Sequence, residues 1–234
     1  MMLNTFQEYI LDAIQCLRQF DNHKIVVLTD CVMINIFQER NIKVVAVEGF
    51  MSTYKEYKQN LANTYRDGFW QLASYRFKIL EAYMRHHRKK SIVHIENDVL
   101  VYKNLGDLNL QQSNKILLTM DSRTRCIPGI MYIPNVDLLQ QCVGYFREEL
   151  NDMENWGRCY NELPHIVDTL PIFPTDPSRP ELESITKNYS QYNCIFDAAA
   201  IGQYVGGVDP RNMKGDSTGF VNETCLINYS KYNV

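Results

Sequence analysis

The sequence predicts a single α/β domain in which a mixed, mostly parallel sheet is flanked by helices. Short apolar runs alternate with segments whose apolar residues recur at helical spacing, which is the pattern of alternating strands and helices. The 234 residues are enough for one such domain with a sizeable core. No internal repeat or low-complexity linker divides the chain, so residues 1–234 are interpreted as one domain.

The first predicted elements form a βαβ unit. Residues 5–19 carry apolar side chains at helical spacing and predict an amphipathic helix. The apolar run 24–30 predicts a buried strand that ends at Asp30. A short helix then leads to a second strand at 42–47, and two strands joined through a helix pair in parallel.

The central segment contains two further helical or extended regions. Residues 52–65 are polar and aromatic, and they fit either a helix or a loop. The segment 68–85 presents its apolar residues on one helical face. The apolar run 91–95 predicts a buried strand that leads directly into Glu96-Asn97-Asp98, and the run 116–121 predicts another strand.

The second half of the chain is expected to be less regular. A strand at 127–133 is predicted to be interrupted at Pro128-Gly129, and a helix follows from Pro134-Asn135 through Leu150. Prolines crowd the span 164–180, where little regular structure is expected. Toward the end of the chain, the pattern predicts a helix at 198–204 and a strand at 220–228.

Composition restricts the classes of partner. A formal net charge of −3 gives no electrostatic basis for binding nucleic acid. No apolar run approaches the ~20 residues of a transmembrane segment, and the first residues lack the pattern of a signal peptide. The seven cysteines are scattered, without a C-x-x-C pair, which is typical of a reducing compartment. A cytoplasmic protein is therefore expected.

Three predicted strands end in acids, namely Asp30, Asp98 and Asp121. In open α/β sheets, ligands bind at the carboxyl ends of the strands, where these side chains would lie. For each acid taken alone, a helix cap or a surface turn is the alternative explanation.

The tripeptide Glu96-Asn97-Asp98 is the sharper signal, because its two carboxylates directly follow a wholly apolar strand. Carboxylates at the edge of a buried sheet need partners, and a hard divalent cation with oxygen ligands is a natural one. A metal held by one or two carboxylates leaves positions for substrate phosphates and stabilises a leaving nucleoside diphosphate. These residues therefore predict a Mn²⁺ or Mg²⁺ site.

Three segments together resemble the centre of the GT-A glycosyltransferases: Tyr75-Arg76-Phe77, the run from His94 to Val101, and Asn104-Leu105. The resemblance implies a GT-A-like, Rossmann-like fold. It also implies that Asp98 contacts the metal and that Glu96 faces the ribose or a metal-bound water. It further implies that Arg76 approaches the donor, since a guanidinium suits phosphate or sugar oxygens. By the same resemblance, Asp30 lies near the nucleotide base.

Later segments extend the resemblance. Residues 128–135 are similar to the small-residue strand beside the donor sugar, and residues 196–209 resemble the helix and glycine-containing loop that face the reaction centre. The resemblance implies a nucleotide-binding part at about 1–125 and an acceptor-side part at about 126–234. Asp197 is the candidate carboxylate base, and Asp121 is the alternative; a helix cap is the competing explanation for Asp197.

The sequence departs from the GT-A pattern in three respects. The usual first strand is lacking before the first helix, Glu96 stands where the family has an aspartate, and no basic or histidine ligand is obvious near the C-terminus. The longer Glu96 side chain puts its direct contact with the metal in question.

Three hypotheses for function follow. The first is a glycosyltransferase that uses a nucleoside-diphosphate sugar as donor and a glycan, lipid or protein as acceptor. The second is a sugar-phosphate nucleotidyltransferase, although the glycine-rich nucleotide loop typical of that class is lacking. The third is a degenerate domain that binds a glycan or a protein without catalysis.

Overall fold

In the computed structural model, which describes residues 6–61 and 69–197, helices and strands alternate along the chain. The α-helices of these residues are α1 (Tyr9–Gln19), α2 (Ile34–Gln38), α3 (Tyr54–Leu61), α4 (Phe69–His86), α5 (Val136–Tyr145), α6 (Asp152–Glu162), α7 (Glu183–Thr186) and α8 (Tyr189–Tyr192). The strands are β1 (Val27–Thr29), β2 (Val44–Ala46), β3 (Ile92–Ile95), β4 (Ile116–Met120), β5 (Cys126–Ile133) and β6 (Val167–Leu170). The predicted α/β class is confirmed.

The strands of the described residues form two sheets. β1 and β2 pair in parallel, with Val27 opposite Val44, which confirms the predicted βαβ unit. The larger sheet has the order β3-β5-β4-β6, in which β4 and β6 are parallel. β5 is antiparallel to both of its neighbours, β3 and β4.

The prediction of a mixed, mostly parallel sheet is confirmed in part: in the larger sheet of the described residues, β3, β4 and β6 run in the same direction and β5 runs antiparallel to them. Counted by pairing, two of the four strand pairs among these residues are parallel and two are antiparallel. The reason lies in the connection between β4 and β5, which consists of residues 121–125 alone. So short a connection joins antiparallel strands, because a parallel crossover needs about a dozen residues.

β5 runs without a break through Pro128 and Gly129, so the predicted interruption appears as a change of register instead. Leu117 of β4 lies opposite Tyr132, but Thr119 lies opposite Ile127, so β5 has extra residues between these pairs. Proline cannot donate a backbone hydrogen bond, and a bulge accommodates it within a strand.

The helix predicted from Pro134-Asn135 through Leu150 ends earlier, at Tyr145. A separate helix, α6, then begins after Asn151, whose side chain accepts a hydrogen bond from the Glu154 N–H in a capping box. The prediction of one long helix was therefore wrong in its second half. The segment 52–65, which fitted either a helix or a loop, contains the helix α3.

Residues 164–180, where little regular structure was expected, contain the short strand β6. The strand fits between two prolines, Pro164 and Pro171, so the proline spacing permits four residues of sheet. The predicted helix at 198–204 and strand at 220–228 lie outside the described residues. The division into nucleotide-binding and acceptor-side parts stays a prediction.

The core lies on both faces of the larger sheet. On one face, α4, α5 and α6 pack together, and the buried rings of Phe77 and Trp156 meet edge to face at 5.1 Å. On the other face, Leu117 and Tyr132 pack with Tyr192 and Phe196. The packing of α4 and α6 beside β5 brings the start of α6 next to the middle of α4.

A cavity of about 780 Å³ lies between β1 and β3. Consecutive residues of both strands line it, and apolar side chains of α1 and α4 complete its walls. Glu96 and Asn97 also line this cavity. Across residues 6–61 and 69–197, no helix is long and apolar enough to cross a membrane.

Candidate functional site

The site is built at the carboxyl end of β3. The strand ends at Ile95, directly before Glu96, as the sequence predicts. The Glu96 N–H donates to the Gly129 carbonyl at 2.8 Å, which ties the tripeptide to β5. The Asn97 Nδ2 donates to Gln7 Oε1 at 2.6 Å, which ties it to the residues before α1. The backbone around Glu96-Asn97-Asp98 is thus fixed from two sides.

Arg76 of α4 connects two carboxylates in this site. Its Nη1 donates to Glu96 Oε1, and its Nη2 donates to Asp152 Oδ2 at 2.7 Å. The Arg76 side chain is 13% exposed and the Asp152 side chain 4%. Burial acts to lower the pKa of Arg76, but the charges of Glu96 and Asp152 outweigh it, and the pKa is raised. The guanidinium therefore stays charged.

Asp98 completes the cluster at its solvent-exposed side. Crowding by neighbouring atoms and then the charge of Glu96 raise the pKa of the Asp98 carboxyl. Burial also raises the pKa of Asp152, with the charge of Glu96 adding to it and that of Arg76 opposing it. Burial is thus the main cause of both pKa shifts, and the charge of Glu96 adds to each.

The balance of charges favours a cation. The three carboxylates of Glu96, Asp98 and Asp152, when ionised, lie around the positive charge of Arg76. Oxygen donors of this kind suit Mg²⁺ and Mn²⁺. In the part of the chain that the structure describes, no group of three or more acidic, histidine or cysteine side chains is arranged to hold a metal. A metal at this cluster would take one or two ligands from Glu96 and Asp98, and phosphate oxygens and water would be needed to supply others.

Asp121 lies next to this cluster but has a cation of its own. It is 1% exposed at the end of β4, and its carboxylate accepts hydrogen bonds from Nε and Nη2 of Arg125. Charges of both groups act on the Cys126 thiol: burial, followed by the charges of Asp152 and Asp121, raises the pKa of this thiol well above the ordinary value. Asp121 is thus near the cluster, with its carboxylate held by Arg125.

Asp30 belongs to a separate polar group at the end of β1. Its Oδ1 accepts a hydrogen bond from the Tyr54 hydroxyl at 2.6 Å, and its Oδ2 forms an ion pair with Lys58 Nζ at 2.8 Å. Burial and this hydrogen bond raise the pKa of Tyr54 above its ordinary range. Both oxygens of the carboxylate have partners from α3, so the predicted contact with a nucleotide base stays a prediction.

Asp197 is the last described residue and is exposed. It follows Phe196, which is buried and whose N–H donates to the Pro171 carbonyl at 2.8 Å. The helix that Asp197 was predicted to precede lies outside the described residues. The structure thus brings Arg76, Glu96 and Asp98 together, whereas the partners of Arg76 do not include Asp30 or Asp197.

Sequence reasoning missed Asp152. The segment Asn151-Asp152-Met153-Glu154 carries a capping-box pattern that predicts a helix start at this position. The ion pair of Asp152 with Arg76, however, joins residues 76 positions apart. A pattern in the sequence could therefore have located the start of α6, but not the ion pair that Asp152 forms with Arg76.

Comparison of the sequence with protein-family models gives no match, and comparison with curated proteins gives no significant one. The resemblance to GT-A glycosyltransferases therefore stays a prediction.

Proposed function

We propose that the protein is a glycosyltransferase that transfers a sugar from a nucleoside-diphosphate sugar to a glycan, lipid or protein acceptor, with Mn²⁺ or Mg²⁺. The observation that supports this proposal is the cluster of Arg76, Glu96, Asp98 and Asp152 at the carboxyl end of β3. An excess of carboxylates around one guanidinium suits a ligand that brings both a cation and phosphate groups.

In this proposal, Asp98 and Glu96 hold the metal. Asp98 is favoured of the two, since it is an exposed residue, whereas the Glu96 carboxylate is bonded to Arg76. When bound, the metal neutralises the charge that develops on the leaving nucleoside diphosphate. Arg76 supplies a second positive charge to the same group, and Asp152 orients its guanidinium.

The proposal also needs a group that interacts with the acceptor. A base must come within hydrogen-bond reach of the acceptor hydroxyl to remove its proton. Asp197 and Asp121 remain the two candidates. Asp121 would first have to exchange its ion pair with Arg125, and Asp197 lies on the surface.

The test is calorimetric titration of the protein with UDP and GDP, with and without Mn²⁺. The expected result is binding of one nucleotide that requires Mn²⁺ and is lost in Asp98→Ala. The matched control is Asp107→Ala, which removes an exposed acid from the 3₁₀ turn Leu105–Leu108 and is expected to bind as the wild type does. A folded wild-type protein that binds neither nucleotide would contradict the proposal.

A second candidate function, a domain that binds a glycan or a protein without catalysis, is favoured by one observation. The Glu96 carboxylate is bonded to Arg76, a partner within the chain itself. If this candidate is correct, the protein binds an immobilised glycan or protein equally well with Mn²⁺ or with a chelator, and Asp98→Ala has no effect.

A further inference from the structure

Exposed cations gather at the end of the fold where the chain enters β1, β2 and β3. They come from the three turns before these strands and are here called the basic face: Lys24, Lys43, Arg88, Lys89 and Lys90. Lys24 and Lys89 line the same cavity between β1 and β3. Burial, and then the charges of His86, Lys89 and Lys43, lower the pKa of His87. The three turns are therefore neighbours, although they are distant in sequence.

Positive charge dominates this end of the fold. Residues 21–24, 39–43 and 87–90 carry six lysines and arginines against two acids, Asp21 and Glu39. No ion pair between described residues involves a side chain of the basic face. Because the chain as a whole has a formal net charge of −3, its charge is distributed unevenly between this end and the rest of the molecule.

An exposed aromatic side chain borders the basic face. Tyr102 is 69% exposed, and its ring meets that of Phe20 edge to face at 6.0 Å. Asn22 Nδ2 donates to the Lys103 carbonyl at 2.9 Å, which holds the segment of Tyr102 against the turn that carries Lys24. Tyrosine is enriched where proteins meet the interface between membrane and water, since one end of its side chain is apolar and the other is polar.

Helix α1 separates the basic face from the candidate site. Before the helix, Gln7 Oε1 accepts a hydrogen bond from Asn97 of the site. Near the other end of the helix, Arg18 Nη2 donates to the Asn41 carbonyl, in the turn that carries Lys43. With 11 residues, α1 is about 16 Å long, so the two surfaces lie at opposite ends of the fold.

We propose that the basic face binds the surface of a membrane that contains anionic lipids, with Tyr102 at the interface with water. Four of the five cations are lysines, which are compact point charges suited to a diffuse negative surface. Nucleic acid is the less suitable polyanion, because arginine is the residue that recognises individual phosphates best and the rest of the chain is acidic. In this orientation, the candidate site faces away from the membrane.

The test is co-sedimentation of the protein with vesicles of phosphatidylcholine, either alone or with about one third phosphatidylserine. The wild type is expected to bind the mixed vesicles and not the neutral ones, and to dissociate as added salt screens the attraction. Lys43→Gln and Lys90→Gln, from two different turns, are each expected to weaken binding about fivefold, and the double variant about thirtyfold.

The matched control is Lys55→Gln, which also removes one exposed lysine. Lys55 belongs to α3, whose Tyr54 and Lys58 bond Asp30 at the carboxyl end of β1, away from the basic face. Its substitution is therefore expected to leave vesicle binding unchanged. Circular dichroism shows whether each variant is folded.

Several outcomes would overturn the inference. One is a folded wild type that does not bind the mixed vesicles, and another is an equal loss of binding in Lys55→Gln and Lys43→Gln. An effect of Lys90→Gln without one of Lys43→Gln would show that the three turns do not act as one surface. Tighter binding to double-stranded DNA than to the mixed vesicles at the same salt concentration would exclude a membrane as the preferred partner. Vesicle binding is independent of the titration with UDP and GDP, so the failure of either leaves the other proposal intact.

Discussion

Asp152 Oδ2 accepts a 2.7 Å hydrogen bond from Arg76 Nη2, and this bond joins the first residue of α6 to the middle of α4. Both side chains are largely buried, so each charge depends on the other. Asp152→Ala is expected to lower the free energy of unfolding by about 3–5 kcal/mol, because it leaves a buried guanidinium with one partner fewer. Urea denaturation of the two proteins measures this difference.

The control for this substitution is a surface ion pair of the same charge type. Glu81 bonds Arg85 one helical turn away, and Arg85 is 44% exposed. Glu81→Ala is expected to cost less than about 1 kcal/mol. If Asp152→Ala costs no more than Glu81→Ala, the buried bond to Arg76 does not stabilise the fold.

Gly157 of α6 packs directly against the turn between β4 and β5. A Cβ atom at this position would lie 1.8 Å from the Thr124 carbonyl oxygen, a distance at which backbone must move. Gly157→Ala is therefore expected to destabilise the protein by at least about 2 kcal/mol, despite the better helix propensity of alanine. Urea denaturation measures the change.

Gly144 of α5 is the matched control, since a Cβ added to it meets nothing within 4 Å. Gly144→Ala should stabilise the protein by about 0.5–1 kcal/mol through helix propensity alone. Equal effects of the two substitutions would mean that the close approach of Gly157 to Thr124 does not constrain the packing of α6.

The Tyr54 hydroxyl donates to Asp30 in a buried position, which predicts a measurable contribution to stability. Tyr54→Phe is expected to cost about 1.5–3 kcal/mol, because a hydrogen bond to a buried carboxylate is lost while the ring remains. Tyr57→Phe removes a more exposed 3.3 Å hydrogen bond to the Gln71 carbonyl and should cost less than about 1 kcal/mol. Thermal denaturation of both variants measures the two losses of stability. Similar losses would mean that the buried hydrogen bond from Tyr54 to Asp30 stabilises the protein no more than the exposed one from Tyr57.

Elements with strong local patterns were predictable from the sequence. The unit from β1 to β2 follows from two apolar runs with a helix between them, and the structure confirms its parallel pairing. β6 was not predictable, because a strand of four residues in a segment between two prolines carries little pattern. The strand order β3-β5-β4-β6 could not be predicted from the sequence either, since it depends on pairings between distant segments.

The residues of the candidate site also divide into those that a local sequence pattern predicts and those that depend on tertiary packing. Glu96 and Asp98 follow an apolar run that predicts both the strand and its end, so their place at the sheet edge could be predicted. Arg76 was expected in the site through the resemblance alone, and its contact with Glu96 is found in the structure. Asp152 could not be assigned, because its role depends on how α6 packs against α4.

His94 predicts a dependence of stability on pH. His94 is buried beside Phe77, and its Nε2 has no hydrogen-bond partner among the described residues. Burial, together with the nearby charge of Arg76, lowers the pKa of His94 well below 6.5. The unfolded chain therefore binds a proton near pH 6.5 that the folded protein does not bind until a lower pH.

The sign of the effect follows from this difference. As pH falls below about 6.5, protonation favours the unfolded chain, so the free energy of unfolding decreases by up to about 1.4 kcal/mol per pH unit. Asp98 and Asp152, whose pKa values are raised, oppose this loss, because the folded protein protonates them at a higher pH than the unfolded chain does. The contribution of His94 is therefore isolated by comparing the wild type with His94→Leu.

The measurement is urea denaturation of the wild type and His94→Leu at intervals between about pH 8 and about pH 5. The difference in stability between the two proteins should be constant above about pH 7 and should shift in favour of His94→Leu as the pH falls. His23→Leu, which removes an exposed histidine, controls for the loss of one histidine as such. Parallel plots of the free energy of unfolding against pH for the wild type and His94→Leu would contradict the prediction. They would mean that His94 has the same pKa in the folded and the unfolded protein, despite its burial beside Phe77.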